Sequence, residues 1–203
     1  MNDPFERMGD AAWRLRVPDL AAPRALLDAL RGVRGVVDAI VTERHALVTF
    51  DPADPPQRED LARAVAVARR GEPANGLRRH VVRVTYDGPD LDELARALSL
   101  GREELVALHA APTYVVATLG FLPGFAYLRG LDARLVAPRR ATPRVTVPPL
   151  SVAIAGPYSG IYPFASPGGW NLVGTALGFA PFDPLSGATL TLGDEVRFVP
   201  EAT

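Results

Sequence analysis

From Thr113 onward the chain never runs far without a glycine or a proline. The apolar stretches "TYVVATLG", "RLVAP", "SVAIAG", "GIYP", "WNLVG" and "EVRFVP" follow one another, separated by Gly- and Pro-bearing breaks. Proline withholds a backbone donor and glycine permits tight reversal, so each strand must be short and the chain must turn often. Many short strands with such turns predict a closed or nearly closed β-barrel. "GFLPGFAYLRGLD" (Gly120–Asp132) shows the conflict most sharply. Its aromatics suit a buried strand, while its Pro-Gly pair forbids an uninterrupted one. Its rings are expected either to plug the fold or to wall an apolar pocket.

The first half has a different texture. "AWRLRV" alternates Trp13, Leu15 and Val17 on one face, as a strand does. "PRALLDALRG" follows at helical spacing, with Pro23 in the first turn and Gly32 at the stop. Val36–Asp51 reads as two strands about a tight turn near Glu43-Arg44. "REDLARAVAVARRG" reads as a second helix ending at Gly71, with acids early and arginines late as the helix dipole prefers. "HVVRVTY" reads as a further strand. The order β-α-β-β-α-β predicts a ferredoxin-like unit. The expected class is α+β: a ferredoxin-like α/β domain over residues 1–86, then a helical junction and a β-barrel over 87–203. Two short helices, "DLDELARAL" and "REELVALHAA", fill the junction.

Composition removes several chemistries. Among the 203 residues there is no cysteine, so disulfides, thiolate metal sites and cysteine nucleophiles are excluded. There is no lysine either, which excludes a P-loop lysine and a Schiff-base lysine. The net charge of −1 gives no pull toward nucleic acid or membrane. "MNDPFERMGD" carries no apolar signal region, and no apolar run reaches bilayer length, so a cytoplasmic chain is expected. His45, His80 and His109 lack metal spacing, so no metal site is expected. No acid–base pair or nucleophile–base pair is assignable, so the catalytic groups stay unknown.

What stands out is an excess of guanidinium groups. Between Thr113 and Gly178 lie five arginines (129, 134, 139, 140, 144) against one acid, Asp132. They form either a solvated basic face or a site for carboxylate or phosphate, which the guanidinium fork grips bidentately. In "PRRATPR" the prolines stiffen Arg139, Arg140 and Arg144, which favours recognition. "SPGGWN" sets Gly168 and Gly169 beside Trp170 and Asn171, as a tight turn or as a place of close ligand approach. Tyr162 in "GIYP" is either a packed edge tyrosine or a site residue.

Taken together and in order, "GFLPGFAYLRGLDARLVAPRRATPRVTVP", "SVAIAG", "GIYP" and "SPGGWNLVG" closely resemble the KipI family, which comprises allophanate hydrolase subunit 1 and the B component of 5-oxoprolinase. The resemblance is dense over residues 113–175. It implies a cyclophilin-like barrel after an α/β domain, and an ATP-dependent opening of the lactam 5-oxoproline to L-glutamate. It also implies partners, namely the KipA-like C component and the A component of 5-oxoprolinase, with ATP and Mg²⁺ used by the complex and no intrinsic cofactor. Some relatives instead inhibit a sporulation-type histidine kinase, or belong to urea carboxylase and allophanate hydrolase systems. On this reading Arg139, Arg140 and Arg144 contact phosphate or carboxylate, and Tyr162 and Asn171 orient the ring. Phe125, Tyr127 and Trp170 wall the pocket, and Gly168 and Gly169 allow close approach. Three departures stand in the sequence: Pro157-Tyr158-Ser159 after "IAG", Gly174-Thr175-Ala176-Leu177 where an arginine is usual, and a shortened "DGPDL".

Overall fold

The computed structural model describes residues 4–17, 22–69 and 76–201. The chain divides into two compact units, Met1–Gly76 and Leu77–Thr203. The expected end of the second helix at Gly71 lies outside the described residues.

The first unit holds β1 (Phe5–Arg7), β2 (Ala12–Arg16), α1 (Pro23–Arg31), β3 (Val36–Val41), β4 (His45–Phe50) and α2 (Arg58–Arg69). Its antiparallel sheet runs β1-β2-β4-β3. Alternation along β2 and β4 turns Leu15, Ala46, Val48 and Phe50 into a core that Leu26, Leu30, Leu61 and Ala64 of the helices complete. One strand differs from the ferredoxin-like expectation. The place beside β2, which that order gives to "HVVRVTY" as the fourth strand, is taken by Phe5–Arg7, which pairs antiparallel with β2.

"HVVRVTY" instead opens the second unit as β5 (Arg79–Thr85), followed by α3 (Leu91–Ala97), α4 (Arg102–Ala110), β6 (Tyr114–Leu119) and β7 (Ala126–Arg129). Then come β8 (Arg144–Val147), β9 (Ser151–Ala155), β10 (Tyr158–Ile161), β11 (Ser166–Gly168), β12 (Asn171–Leu177), β13 (Phe182–Asp183), β14 (Gly187–Ala188) and β15 (Glu195–Pro200). Seven strands close a barrel in the order β10-β7-β6-β15-β5-β12-β9, with β9 and β10 completing the ring. The class is therefore α+β with a closed barrel, and the boundary falls near residue 76, ahead of β5. β5 lies between β15, to which it is parallel, and β12, to which it is antiparallel. A place inside the ring satisfies both backbone edges of a strand, where the end of an open sheet leaves one unpaired. "RLVAP" is not a strand either: Ala133–Leu135 forms a 3₁₀ turn, and Ala137 makes a single bridge to Gly156.

The barrel interior is packed by Val82, Val84, Tyr114, Val116, Leu128, Val152, Ile154, Val173, Val196 and Phe198, with Leu91, Leu94 and Leu105 joining from α3 and α4. Every residue of β9 is buried. Val152 and Ile154 face that interior, while Ala153 and Ala155 face a second cluster of Phe125, Val147, Tyr162, Trp170 and Leu172. Covered on both faces, the strand reads after Ser151 as the unbroken apolar run "VAIA".

Candidate functional site

The bent aromatic stretch first becomes a turn and then β7. Gly124 sits at φ +80 against the backbone of Pro181, a place no β carbon could occupy. The turn delivers Phe125 into the second cluster, edge-on to Tyr127 (5.2 Å between ring centroids), Tyr162 (5.3 Å) and Trp170 (5.3 Å). Such edge-to-face packing favours burial over ligand contact. Phe125, Tyr162 and Trp170 are accordingly buried core; Phe125 and Trp170, expected to wall the pocket, and Tyr162, expected to orient the ring, are not among the residues that line the cleft described below. Tyr127 packs half-buried on the same cluster.

The double-glycine turn makes room for the protein's own phenol. A β carbon on Gly168 would overlap the Tyr162 hydroxyl and ring. Burial pushes the Tyr162 hydroxyl up, opposed by a hydrogen bond from the Trp170 backbone. Gly169 accepts a hydrogen bond from Arg140 N at 2.7 Å. Asn171 donates Nδ2 to Pro138 O (2.9 Å) and Ile154 O (3.2 Å), so it clips the arginine segment to β9, and it also lines the cleft described below.

The arginine segment and the glycine turn do meet. β8 pairs with β11, setting Arg144 opposite Gly168 and Val147 opposite Ser166. Beside this pair lies a cleft of about 530 Å³. Its apolar wall is Leu94, Ala97 and Leu98 of α3 and its end; its other side is the 137–142 segment with Arg139 and Arg140. Asp90, which is not among the residues singled out from the sequence, stands at its end. Asp90 Oδ1 receives Arg140 Nη1 at 2.5 Å and Arg144 Nη2 at 2.6 Å, and Oδ2 receives Leu172 N at 2.7 Å. The Asp90 side chain is only 4% exposed. Glu93 Oε2 lies 3.7 Å from Arg140 Nη1. Arg139 is exposed and has no ion pair among the described residues. The signal for Asp90 is present in the sequence as the second acid of "DGPDL", immediately before the helix "LDELARA".

Three guanidiniums against two carboxylates give the cleft and its end wall a balance near +1. A donor-rich, half-apolar cleft of this charge suits a small monoanion. A nucleotide with magnesium fits it less well: Asp90 is already held by two arginines, which leaves Glu93 alone to ligate the ion, and polyphosphate would meet both carboxylates.

His109 anchors a separate arrangement inside the barrel. Its Nε2 lies 2.8 Å from Ser159 Oγ and its Nδ1 lies 2.7 Å from Tyr86 Oη. Ser159 Oγ donates to Ala153 O at 3.2 Å, so the serine accepts from Nε2–H while Nδ1 accepts from the tyrosine. Burial pushes the imidazole down to about 3, which keeps it neutral. With its serine serving as acceptor and its ring stacked on Phe198 (4.7 Å), the group is structural.

The family model for the carboxyltransferase domain, subdomain C and D, matches residues 5–189. The chain belongs to that family. It is 50% identical over 117 residues to the B component of the 5-oxoprolinase of Escherichia coli O157:H7, a match covering 56% of this chain and 53% of the relative. It thus spans about half the length of the curated relatives it matches. A crystal structure of TTHA0988 aligns with a TM-score of 0.81 and 39% identity over 95% of this chain and 40% of that one. The urea amidolyase of K. lactis aligns with a TM-score of 0.72 over 97% of this chain and 15% of its own, at 19% identity, a likeness of fold. Carboxyltransferase-domain membership fits both the barrel and the low share of the longer chains that it covers.

Proposed function

We propose that this carboxyltransferase-domain chain serves as the B component of an ATP-dependent 5-oxoprolinase, acting with the A and C components to open 5-oxoproline to L-glutamate. The observation that carries the reading is its identity to the B component of a bacterial 5-oxoprolinase. The cleft supports it, because 5-oxoproline is a small ring bearing one carboxylate. Arg139 and Arg140 would bind that carboxylate, and Leu94, Ala97 and Leu98 would cover the ring. A lactam is a resonance-stabilised amide, so water attacks it only when the carbonyl is activated. ATP with Mg²⁺ would supply that activation within the complex and away from this cleft, whose residues fit it less well. Binding energy at the carboxylate would hold the ring in place for the partner components. The test is reconstitution: the A and C components are assayed for 5-oxoproline-dependent ATP hydrolysis with and without this chain. Activity only in its presence supports the reading; no activity in either mixture, or equal activity in both, overturns it.

A further inference from the structure

Arg140 and Arg144 come from an irregular segment and the strand that follows it, and long arginine side chains do not hold one position unaided. Here both converge on a single buried oxygen, Asp90 Oδ1. Asp90 itself is fixed by three further features. Its other oxygen accepts from Leu172 N, its own N–H donates to Leu172 O at 3.1 Å, and Gly88 N donates to Val173 O at 3.3 Å, so residues 88–90 lie against β12. A β carbon on Gly88 would collide with that backbone, so the approach is closer than other residues permit. The result is a rigid carboxylate that points two guanidiniums. Arg140 Nε and Arg144 Nη1 are buried beside this carboxylate and find no acceptor among the described residues.

We propose that Asp90 is the positioning residue of the cleft, fixing Arg140, with Arg144 braced beside it, and thereby setting the affinity for the substrate's carboxylate through the Arg140 guanidinium. This rests on the reading that the cleft binds 5-oxoproline. The opposing possibility is that Asp90 competes with the ligand for the same arginines, and the two differ in sign. Removing the charge raises KM if Asp90 positions and lowers it if Asp90 competes.

Asp90→Asn keeps the shape and the acceptor for Leu172 N–H. In the reconstituted complex it is expected to raise KM for 5-oxoproline at least 10-fold with kcat changed less than 3-fold. An unchanged or lowered KM, or a fall in kcat alone, overturns the proposal. A second readout needs no activity: the arginine Nη–H NMR signals of the full chain, which come from the groups that bond Asp90, assigned with Arg140→Lys and Arg144→Lys. Wild-type protein is expected to show both signals, shifted from those of exposed arginines and slow to exchange. Asp90→Asn is expected to return them to the exposed position. If wild-type Arg140 and Arg144 already exchange like exposed arginines, or if their signals do not respond to Asp90→Asn, the proposal fails, whether or not the complex hydrolyses 5-oxoproline. If instead the signals behave as expected while the wild-type complex ignores 5-oxoproline, Asp90 still positions the pair and the substrate reading is what fails.

Discussion

Arg144 Nη2 lies 2.6 Å from Asp90 Oδ1 although the two residues stand 54 positions apart in the chain. The contact is nearly dry on the aspartate side and ties the arginine segment to the start of α3. Asp90→Ala leaves two guanidiniums and the Leu172 N–H without their acceptor. Breaking a buried pair by removing one partner costs about 3–5 kcal/mol. Urea denaturation of Asp90→Ala beside wild type is expected to show a loss of that size, and a loss below about 1 kcal/mol would remove Asp90 as a structural node.

The exposed neighbour behaves oppositely. Arg139 has no ion pair to lose among the described residues, so Arg139→Ala is expected to change stability by no more than about 0.5 kcal/mol. A charge-assisted hydrogen bond contributes about 1.5–3 kcal/mol, so the same variant should weaken 5-oxoproline binding by about 10-fold or more. Urea denaturation checks the first half and calorimetric titration of the complex the second; an unaltered affinity would take Arg139 out of the site.

Gly168 and Tyr162 form a steric pair. Gly168→Ala drives a methyl into the phenol and is expected to destabilise by about 1–3 kcal/mol, as overpacking does. Adding Tyr162→Phe removes the nearest atom, so the double variant should recover part of the loss. A double-mutant cycle measures the coupling; strictly additive losses would show that the turn relaxes away from the ring.

His109 gives the fold a pH dependence. The imidazole is neutral when folded, with its value pushed down to about 3 by burial, and titrates near 6.5 when unfolded. Between those values the unfolded chain binds a proton that the native one refuses. Stability is therefore complete above about pH 6.5 and falls as pH drops toward 3, by up to about 1.4 kcal/mol per pH unit. His109→Gln lacks this group, so its denaturation curves at about pH 7.5 and pH 5 should differ less than those of wild type. Equal pH dependence in both proteins would show that other groups govern the acid limb.

The barrel was legible because its cause is local: glycine and proline at short intervals shorten strands wherever they occur. Strand pairing is not local, and "HVVRVTY" shows the consequence. Its apolar alternation announces a strand, but nothing within Arg79–Thr85 distinguishes β15 as its neighbour from β2. The arginine segment and the glycine turn, both given to the site by the resemblance, are brought together by β8 and β11, whereas the aromatic stretch given to it with them packs into the core. The aromatics are not assignable from the sequence because a buried ring and a pocket-lining ring have the same letters; the room that Phe125 and Trp170 fill is left by Gly160 on β10 and by the small Ala153 and Ala155 of β9. Asp90 is hidden in the sequence for the complementary reason. As one acid in a helix-starting segment it looks like any first-turn aspartate, and its distinction lies wholly in what arrives from residues 140, 144 and 172.

The parallel ladder between β5 and β15 bears on how the protein is made. Arg78 and Asp194, which flank it, are bonded across 116 positions of sequence. A ribosome must deliver nearly everything in between before those two staves can dock, so ring closure is a late event with high contact order. Until then β5 and β6 wait with open backbone edges, a state that invites chaperones or aggregation. A nascent chain arrested short of residue 195 should therefore be held by a holdase chaperone, while its first unit, Met1–Gly76, is already fully synthesised and free to fold.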